Sequence, residues 1–132
     1  SVEAYATLLT GPDAGYLAGA LALGSSIRAL DESRDMVALV TPGVPQEWYD
    51  ELRAVGWLVR PTEPLAEFWW GKHARCRSFA PDQAERWGRM ATKLRLWQLS
   101  QYERVLYLDA DALLIADAAE LFALRSFAAE AG

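Results

Sequence analysis

The segment Val105-Leu106-Tyr107-Leu108-Asp109-Ala110-Asp111 joins an apolar run to two carboxylates that are one residue apart. Such a run is typical of a buried β-strand. Side chains of a strand alternate between its faces, so Asp109 and Asp111 are predicted to project in the same direction. Mg²⁺ and Mn²⁺ prefer oxygen ligands, and phosphate-bearing substrates commonly complete their coordination shell. The segment therefore predicts a metal site at the carboxyl end of a strand, where open α/β sheets bind ligands.

Strands and helices alternate in the part of the chain that precedes this segment. We predict strands over Glu3 to Thr10, Met36 to Val40 and Trp57 to Arg60, and helices over Ala14 to Leu30 and Pro45 to Val55. Apolar runs without alternation suit strands that are buried on both faces, and Asp13 is a good N-cap for the first helix. This order predicts an α/β fold with parallel strands and right-handed crossovers.

The middle of the chain is less regular. An irregular segment covers about residues 61–82, a helix is predicted over Gln83 to Ser100, and a short helix over Ala118 to Leu124. The long helix has an apolar stripe of Trp87, Met90, Leu94 and Trp97 and a basic stripe of Arg86, Arg89 and Lys93. The basic stripe is either a phosphate-binding surface or an ordinary solvated helix face. Gly24-Ser25-Ser26 lies within a helix, which favours close helix–sheet packing over a phosphate-binding loop.

Composition limits the class of protein. The 132 residues fit one domain, and the net charge of −5 argues against a general nucleic-acid binder. The single cysteine excludes an internal disulfide, and no apolar run approaches the roughly 18 residues that span a bilayer. Residues 126–132 could begin another strand but stop without a partner, so we expect the fold to be truncated at its C-terminus.

Four motifs in order resemble glycosyltransferase family 8, with the closest similarity to glycogenin-like members. They are Ala4-Tyr5-Ala6-Thr7-Leu8-Leu9-Thr10, Gly19 to Ser26, Thr92 to Tyr102, and Tyr107 to Leu113 with Glu120-Leu121-Phe122. Each motif alone is weak, but together they cover about the whole chain except the irregular segment.

This resemblance implies a GT-A fold, with a Rossmann-like half that binds the nucleotide-sugar, and residues 1–132 would form that part of the domain. It also implies retaining transfer from a UDP-sugar to an acceptor, with Mn²⁺ or Mg²⁺ as cofactor; the acceptor, whether glycan, protein or lipid, is left open. By motif position, Asp109 and Asp111 would hold the metal and the Ala110 backbone would contact the ribose. Donor-binding positions would be Leu8, Thr10, Tyr16 and Lys93, and Arg89 or Arg86 would share the donor contact of Lys93.

Some elements of that family have no counterpart in the sequence. An Asn-containing strand, an Asp-Gln pair and a downstream His/Gly/Lys segment are missing, and the single histidine, His73, lies upstream of the carboxylates. Two other functions therefore stay open. One is a phosphohydrolase of the haloacid dehalogenase type, in which the first Asp would be the nucleophile, although Asp111 is not followed by the usual Gly-Thr. The other is an inactive transferase fragment. Cytosolic and Golgi locations are both compatible with the resemblance.

Overall fold

The computed structural model describes residues 2–63, 92–124 and 128. Its strands are β1 (Glu3–Leu9), β2 (Asp35–Val40), β3 (Trp57–Pro61) and β4 (Arg104–Tyr107), and its helices are α1 (Ala14–Leu30), α2 (Trp48–Ala54), a 3₁₀ helix (Lys93–Gln98) and α3 (Ala119–Phe122). Several predictions lie outside the described residues. These are Arg86, Arg89, His73, Cys76, most of the irregular segment, the first part of the helix predicted from Gln83, and nearly all of residues 126–132.

The four described strands form one parallel sheet in the order β3-β2-β1-β4. The parallel α/β fold predicted from the alternating elements is confirmed. Strand order reverses between β1 and β4, because β2 and β3 lie on one side of β1 and β4 on the other. Such a reversal opens a crevice at the carboxyl ends of the two strands, and ligands of open α/β sheets bind in that crevice.

Each face of the sheet carries its own apolar cluster. Tyr5 and Leu9 of β1 face α1, α2 and α3, whereas Ala4, Ala6 and Leu8 face the 3₁₀ helix. On α1, the buried positions are Leu17, Ala20, Leu23, Gly24 and Ile27, which form one stripe at helical spacing. Alternation along β1 therefore decides which helix each of its side chains meets.

Local chemistry explains the bounds of α1. Asp13 caps its start by accepting a hydrogen bond of 2.8 Å from the Gly15 backbone N–H, and the predicted bounds are those observed. The prediction of tight packing at Gly24 is also confirmed, because a Cβ at this position would lie 2.6 Å from Trp57 Nε1. The Trp57 indole N–H donates 2.9 Å to the Ala20 carbonyl and ties α1 to β3.

Three predicted helices differ from the structure. α2 starts at Trp48 because Pro45 to Glu47 form turns closed by bonds of the 3₁₀ type, such as Trp48 N–H to Pro45 O at 3.1 Å. The short helix Ala119–Phe122 is shorter at both ends than predicted. Among the described residues of the long predicted helix, Lys93–Gln98 is a 3₁₀ helix.

The change of helix type moves Trp97 off the predicted apolar stripe. With three residues per turn, Leu96 and Leu99 point the same way and pack on the sheet, while Trp97 is 68% exposed. Within the described part of the chain, no helix is long and apolar enough to cross a membrane.

Candidate functional site

The two carboxylates lie in a turn beyond β4. The strand ends at Tyr107, and the Ala112 N–H donates 2.9 Å to the Asp109 carbonyl, which closes a four-residue turn. The prediction that strand alternation aligns Asp109 with Asp111 is therefore wrong, because pairing with β1 has already ended. We call this segment the Asp109–Asp111 turn. Both side chains belong to exposed residues at the carboxyl end of β4.

Lys93 contacts this turn from the 3₁₀ helix. Its Nζ lies 3.1 Å from Asp109 Oδ1, and it also lies 5.2 Å from the centre of the Tyr107 ring. Both side chains of the ion pair are about half exposed, at 42% for Lys93 and 59% for Asp109. The contact spans 16 residues of sequence and joins one residue of the predicted basic stripe to the acidic pair.

Tyr107 is a site residue that the sequence reasoning missed. Its hydroxyl donates 2.9 Å to the same Asp109 Oδ1. Burial, followed by the nearby charge of Asp109, raises the pKa of the Tyr107 phenol, so the hydroxyl stays protonated and remains a donor. The available signal was an aromatic hydroxyl two residues before Asp109, at the end of the predicted strand.

The opposite side of the turn lies against α1. Ala110 is 5% exposed and belongs to the apolar cluster beneath α1. A Cβ on Gly19 would collide with the Ala110 carbonyl oxygen and lie 3.2 Å from the Ala110 carbonyl carbon. The Asp109–Asp111 turn is therefore held between the Lys93 side of the sheet and the α1 side.

Other predicted positions lie at or near the same edge of the sheet. Thr10 follows β1, and its carbonyl accepts 2.9 Å from the Thr41 hydroxyl after β2. Tyr16 is 45% exposed in the first turn of α1. Leu8 is 8% exposed within the apolar cluster on the 3₁₀ side, so its side chain serves the core. Among the described contacts, Lys93 binds the turn directly, whereas none joins Thr10, Tyr16 or Leu8 to it.

The donor set suits a hard divalent cation. Two exposed carboxylates offer oxygen ligands, and both described contacts of Asp109 use Oδ1. Over the ranges that the structure describes, no group of three or more His, Cys, Asp or Glu side chains could hold a metal. A two-carboxylate set fits Mg²⁺ or Mn²⁺ when substrate phosphate oxygens supply further ligands.

A parallel sheet with an acidic turn at its reversal point places the chain in the Rossmann-like α/β class. Comparison with known proteins is more specific. The family described as "Glycosyl transferase family 8" matches residues 7–128, and the chain belongs to this family. This assignment supports the transferase interpretation over the phosphohydrolase alternative.

The chain is similar to larger glycosyltransferases. It is 36% identical to inositol phosphorylceramide glucuronosyltransferase 1 and 32% identical to UDP-glucuronate:xylan alpha-glucuronosyltransferase 1, both from Arabidopsis thaliana. These matches cover 98% and 96% of the chain but only 22% and 18% of the two relatives. The structure of the WbbM bifunctional glycosyltransferase matches with a TM-score of 0.60 and 20% identity, over 94% of this chain and 21% of that one. The fold is therefore the GT-A arrangement of glycosyltransferases.

Proposed function

We propose that this chain binds the nucleotide-sugar donor of a glycosyltransferase through a divalent cation held by Asp109 and Asp111. The observation that carries the proposal is the position of the acidic turn, at the sheet's reversal point and in contact with Lys93 at 3.1 Å. Carboxylates and a cation within one crevice suit a ligand that is both metal-bound and strongly anionic. A nucleoside diphosphate meets both conditions.

The donor class that we propose is a UDP-sugar. Support comes from the family and from a relative whose name includes UDP-glucuronate as its donor. Bound at the turn, Mn²⁺ or Mg²⁺ would act as a Lewis acid on the diphosphate leaving group. The Lys93 ammonium would oppose the charge that develops on the same phosphate oxygens. Retaining transfer remains the stereochemical outcome that the family resemblance implies.

The nucleoside would lie toward the end of β1. Thr10 and Tyr16 stand at the end of β1 and in the first turn of α1, and the Ala110 backbone belongs to the turn itself. Leu8 would act by supporting the pocket from the core, because its side chain is buried. Arg89 stays a proposed donor-binding residue on the basis of its motif position.

Thermal unfolding with UDP and MnCl₂ tests the proposal. Binding is the appropriate readout because the chain spans about a fifth of the length of the two glucuronosyltransferases it matches. A ligand present at about 100 times its Kd stabilises a protein by about 2.7 kcal/mol, so we expect Tm to rise by several degrees.

Matched variants make this result specific. Asp109→Asn and Asp111→Asn should remove the shift with only a small change in the basal Tm, since both residues are exposed. Asp50→Asn is the control, because the Asp50 side chain is 93% exposed on α2. An equal shift in all four proteins, or no shift in the wild type, would refute the proposal. Hydrolysis of p-nitrophenyl phosphate that depends on Asp109 would instead support the phosphohydrolase.

A further inference from the structure

Two residues of α1 contact the loop that carries the acidic pair. Gly19 faces the Asp109–Asp111 turn so closely that an added Cβ would lie 3.5 Å from Asp111 Cα and closer still to the Ala110 carbonyl group. Ser26 accepts a hydrogen bond of 3.0 Å from the Leu114 backbone N–H. The Ser26 hydroxyl in turn donates a hydrogen bond of 2.7 Å to the Leu23 carbonyl, which fixes the orientation of Oγ.

The two contacts lie on one side of the helix. Residues seven apart complete about two turns and are separated by roughly 10 Å along the axis. Gly19 therefore meets the loop at the backbone of Ala110 and Asp111, and Ser26 meets it three residues after Asp111. A rigid helix thus restrains both ends of the segment from residue 110 to residue 114.

Such restraint matters because part of this loop is not anchored by its side chains. Leu113 is 60% exposed and Ile115 is 90% exposed, whereas Ala110 and Leu114 pack against the apolar cluster beneath α1. A metal site needs its ligands held to within roughly 0.5 Å of the productive geometry. On the side of the turn opposite to Lys93, the backbone contacts with α1 add to this packing and can supply that precision.

We infer that Gly19 and Ser26 are positioning residues that set the placement of the Asp109 and Asp111 carboxylates for a nucleotide-bound cation. This inference rests on the proposed function. Gly19 permits the close approach of helix and turn, and Ser26 fixes the loop after the turn. Neither residue touches the ligand. Their effect should therefore appear in metal-dependent nucleotide affinity and should be absent from metal-independent affinity.

Gly24 distinguishes positioning from simple packing. It lies on the same helix, and a Cβ there would also collide, at 2.6 Å from Trp57 Nε1 and 3.0 Å from Val55 Cγ2. Those neighbours belong to β3 and to the end of α2, away from the acidic loop. Gly24→Ala should therefore lower Tm without moving the carboxylates.

The experiment measures the Kd for UDP by titration calorimetry, once with MnCl₂ and once with EDTA. All titrations are made at a temperature below the Tm of every variant. Gly19→Ala should weaken the binding of UDP with Mn²⁺ by about tenfold or more, as expected when a supporting contact of a metal site is lost. Its Kd with EDTA should stay within about twofold of the wild-type value, and Gly24→Ala should keep both values within the same margin.

Ser26 provides a second test that does not depend on how well Gly19→Ala folds. Ser26→Ala should weaken metal-dependent UDP binding, and Ser26→Thr should restore it, because Thr keeps the hydroxyl and can bond to the carbonyl of the preceding turn. Ser25→Ala is the control, since Ser25 is exposed on the same helix.

The possible outcomes separate the inference from the proposed function. If the wild type shows no Mn²⁺-dependent UDP binding, the proposed function fails, and the inference fails with it. If the wild type binds but Gly19→Ala matches Gly24→Ala, or Ser26→Ala matches Ser25→Ala, only the positioning inference is wrong.

Discussion

Replacement of Lys93 by Gln should change two affinities in opposite directions. The Lys93 ammonium lies 3.1 Å from Asp109 Oδ1 and so occupies space next to a proposed metal ligand. In the absence of nucleotide, this charge repels a divalent cation at the turn. With nucleotide bound, the same charge favours the diphosphate. Lys93→Gln should therefore tighten binding of Mn²⁺ alone and weaken binding of UDP in the presence of Mn²⁺.

The exposure of the ion pair sets the expected magnitudes. Because the side chains are 42% and 59% exposed, loss of the pair should change the free energy of unfolding by less than about 1 kcal/mol. Two like unit charges about 4 Å apart repel by about 1 kcal/mol in water. Removal of the Lys93 charge should therefore strengthen the binding of a divalent ion by up to about 2 kcal/mol, which lowers its Kd by about 30-fold. Loss of a hydrogen bond to a charged phosphate costs about 1.5 to 3 kcal/mol, which corresponds to about 10- to 150-fold weaker UDP binding.

Calorimetric titrations at low and high salt measure both affinities. The gain in Mn²⁺ affinity that Lys93→Gln produces without nucleotide should shrink at 1 M salt, because the screening length there is roughly 3 Å. Arg95→Gln is the matched control, because Arg95 is a cation of the same 3₁₀ helix whose Nε donates 3.0 Å to the Glu63 carbonyl. If Lys93→Gln weakens both affinities, or changes neither, Lys93 does not act at the metal and diphosphate site as proposed.

Two further predictions concern stability. Trp57→Phe removes the buried N–H that donates to the Ala20 carbonyl. Urea denaturation should therefore show a loss of about 1 to 3 kcal/mol in the free energy of unfolding, while UDP binding is retained. A loss under about 0.5 kcal/mol would contradict the role given to this hydrogen bond. Burial of Asp31 raises its pKa, but the hydrogen bonds that its carboxylate accepts lower the pKa by more. The strongest of these comes from Arg34, and together they hold the pKa of Asp31 well below its ordinary value. Its contribution is therefore fully present above the unfolded-state pKa and is lost as pH falls through the lowered folded-state pKa, and Asp31→Asn should flatten the pH dependence of unfolding in that acid range.

The first half of the fold was predictable because local signals agree with one another. An apolar run, the break at Gly11-Pro12 and the capping Asp13 specify the end of β1 and the start of α1 without any tertiary information. The apolar spacing on α1 likewise identifies the face that packs on the sheet. Local and tertiary preferences point to the same structure in this part of the chain.

The site was predictable in composition but not in geometry. Asp109 and Asp111 are predicted to alternate as residues of a strand, yet β4 ends where its pairing with β1 ends, at Ala6 and Tyr107. The contact between Lys93 and Asp109 starts from a 3₁₀ helix, in a segment whose pattern predicts an α-helix. Gly19 carries no chemical signal at all, because its role is to leave space for the Ala110 backbone.

Equilibrium titration of UDP decides whether the nucleotide binds through a cation held by the Asp109–Asp111 turn. The wild type, Asp109→Asn and Asp111→Asn are measured in parallel in MnCl₂ and in EDTA. The wild type should bind UDP at least about tenfold more tightly with Mn²⁺ than with EDTA, and each variant should lose that difference. Equal UDP affinities in the two buffers, or a metal-dependent gain that survives in both variants, would contradict the account.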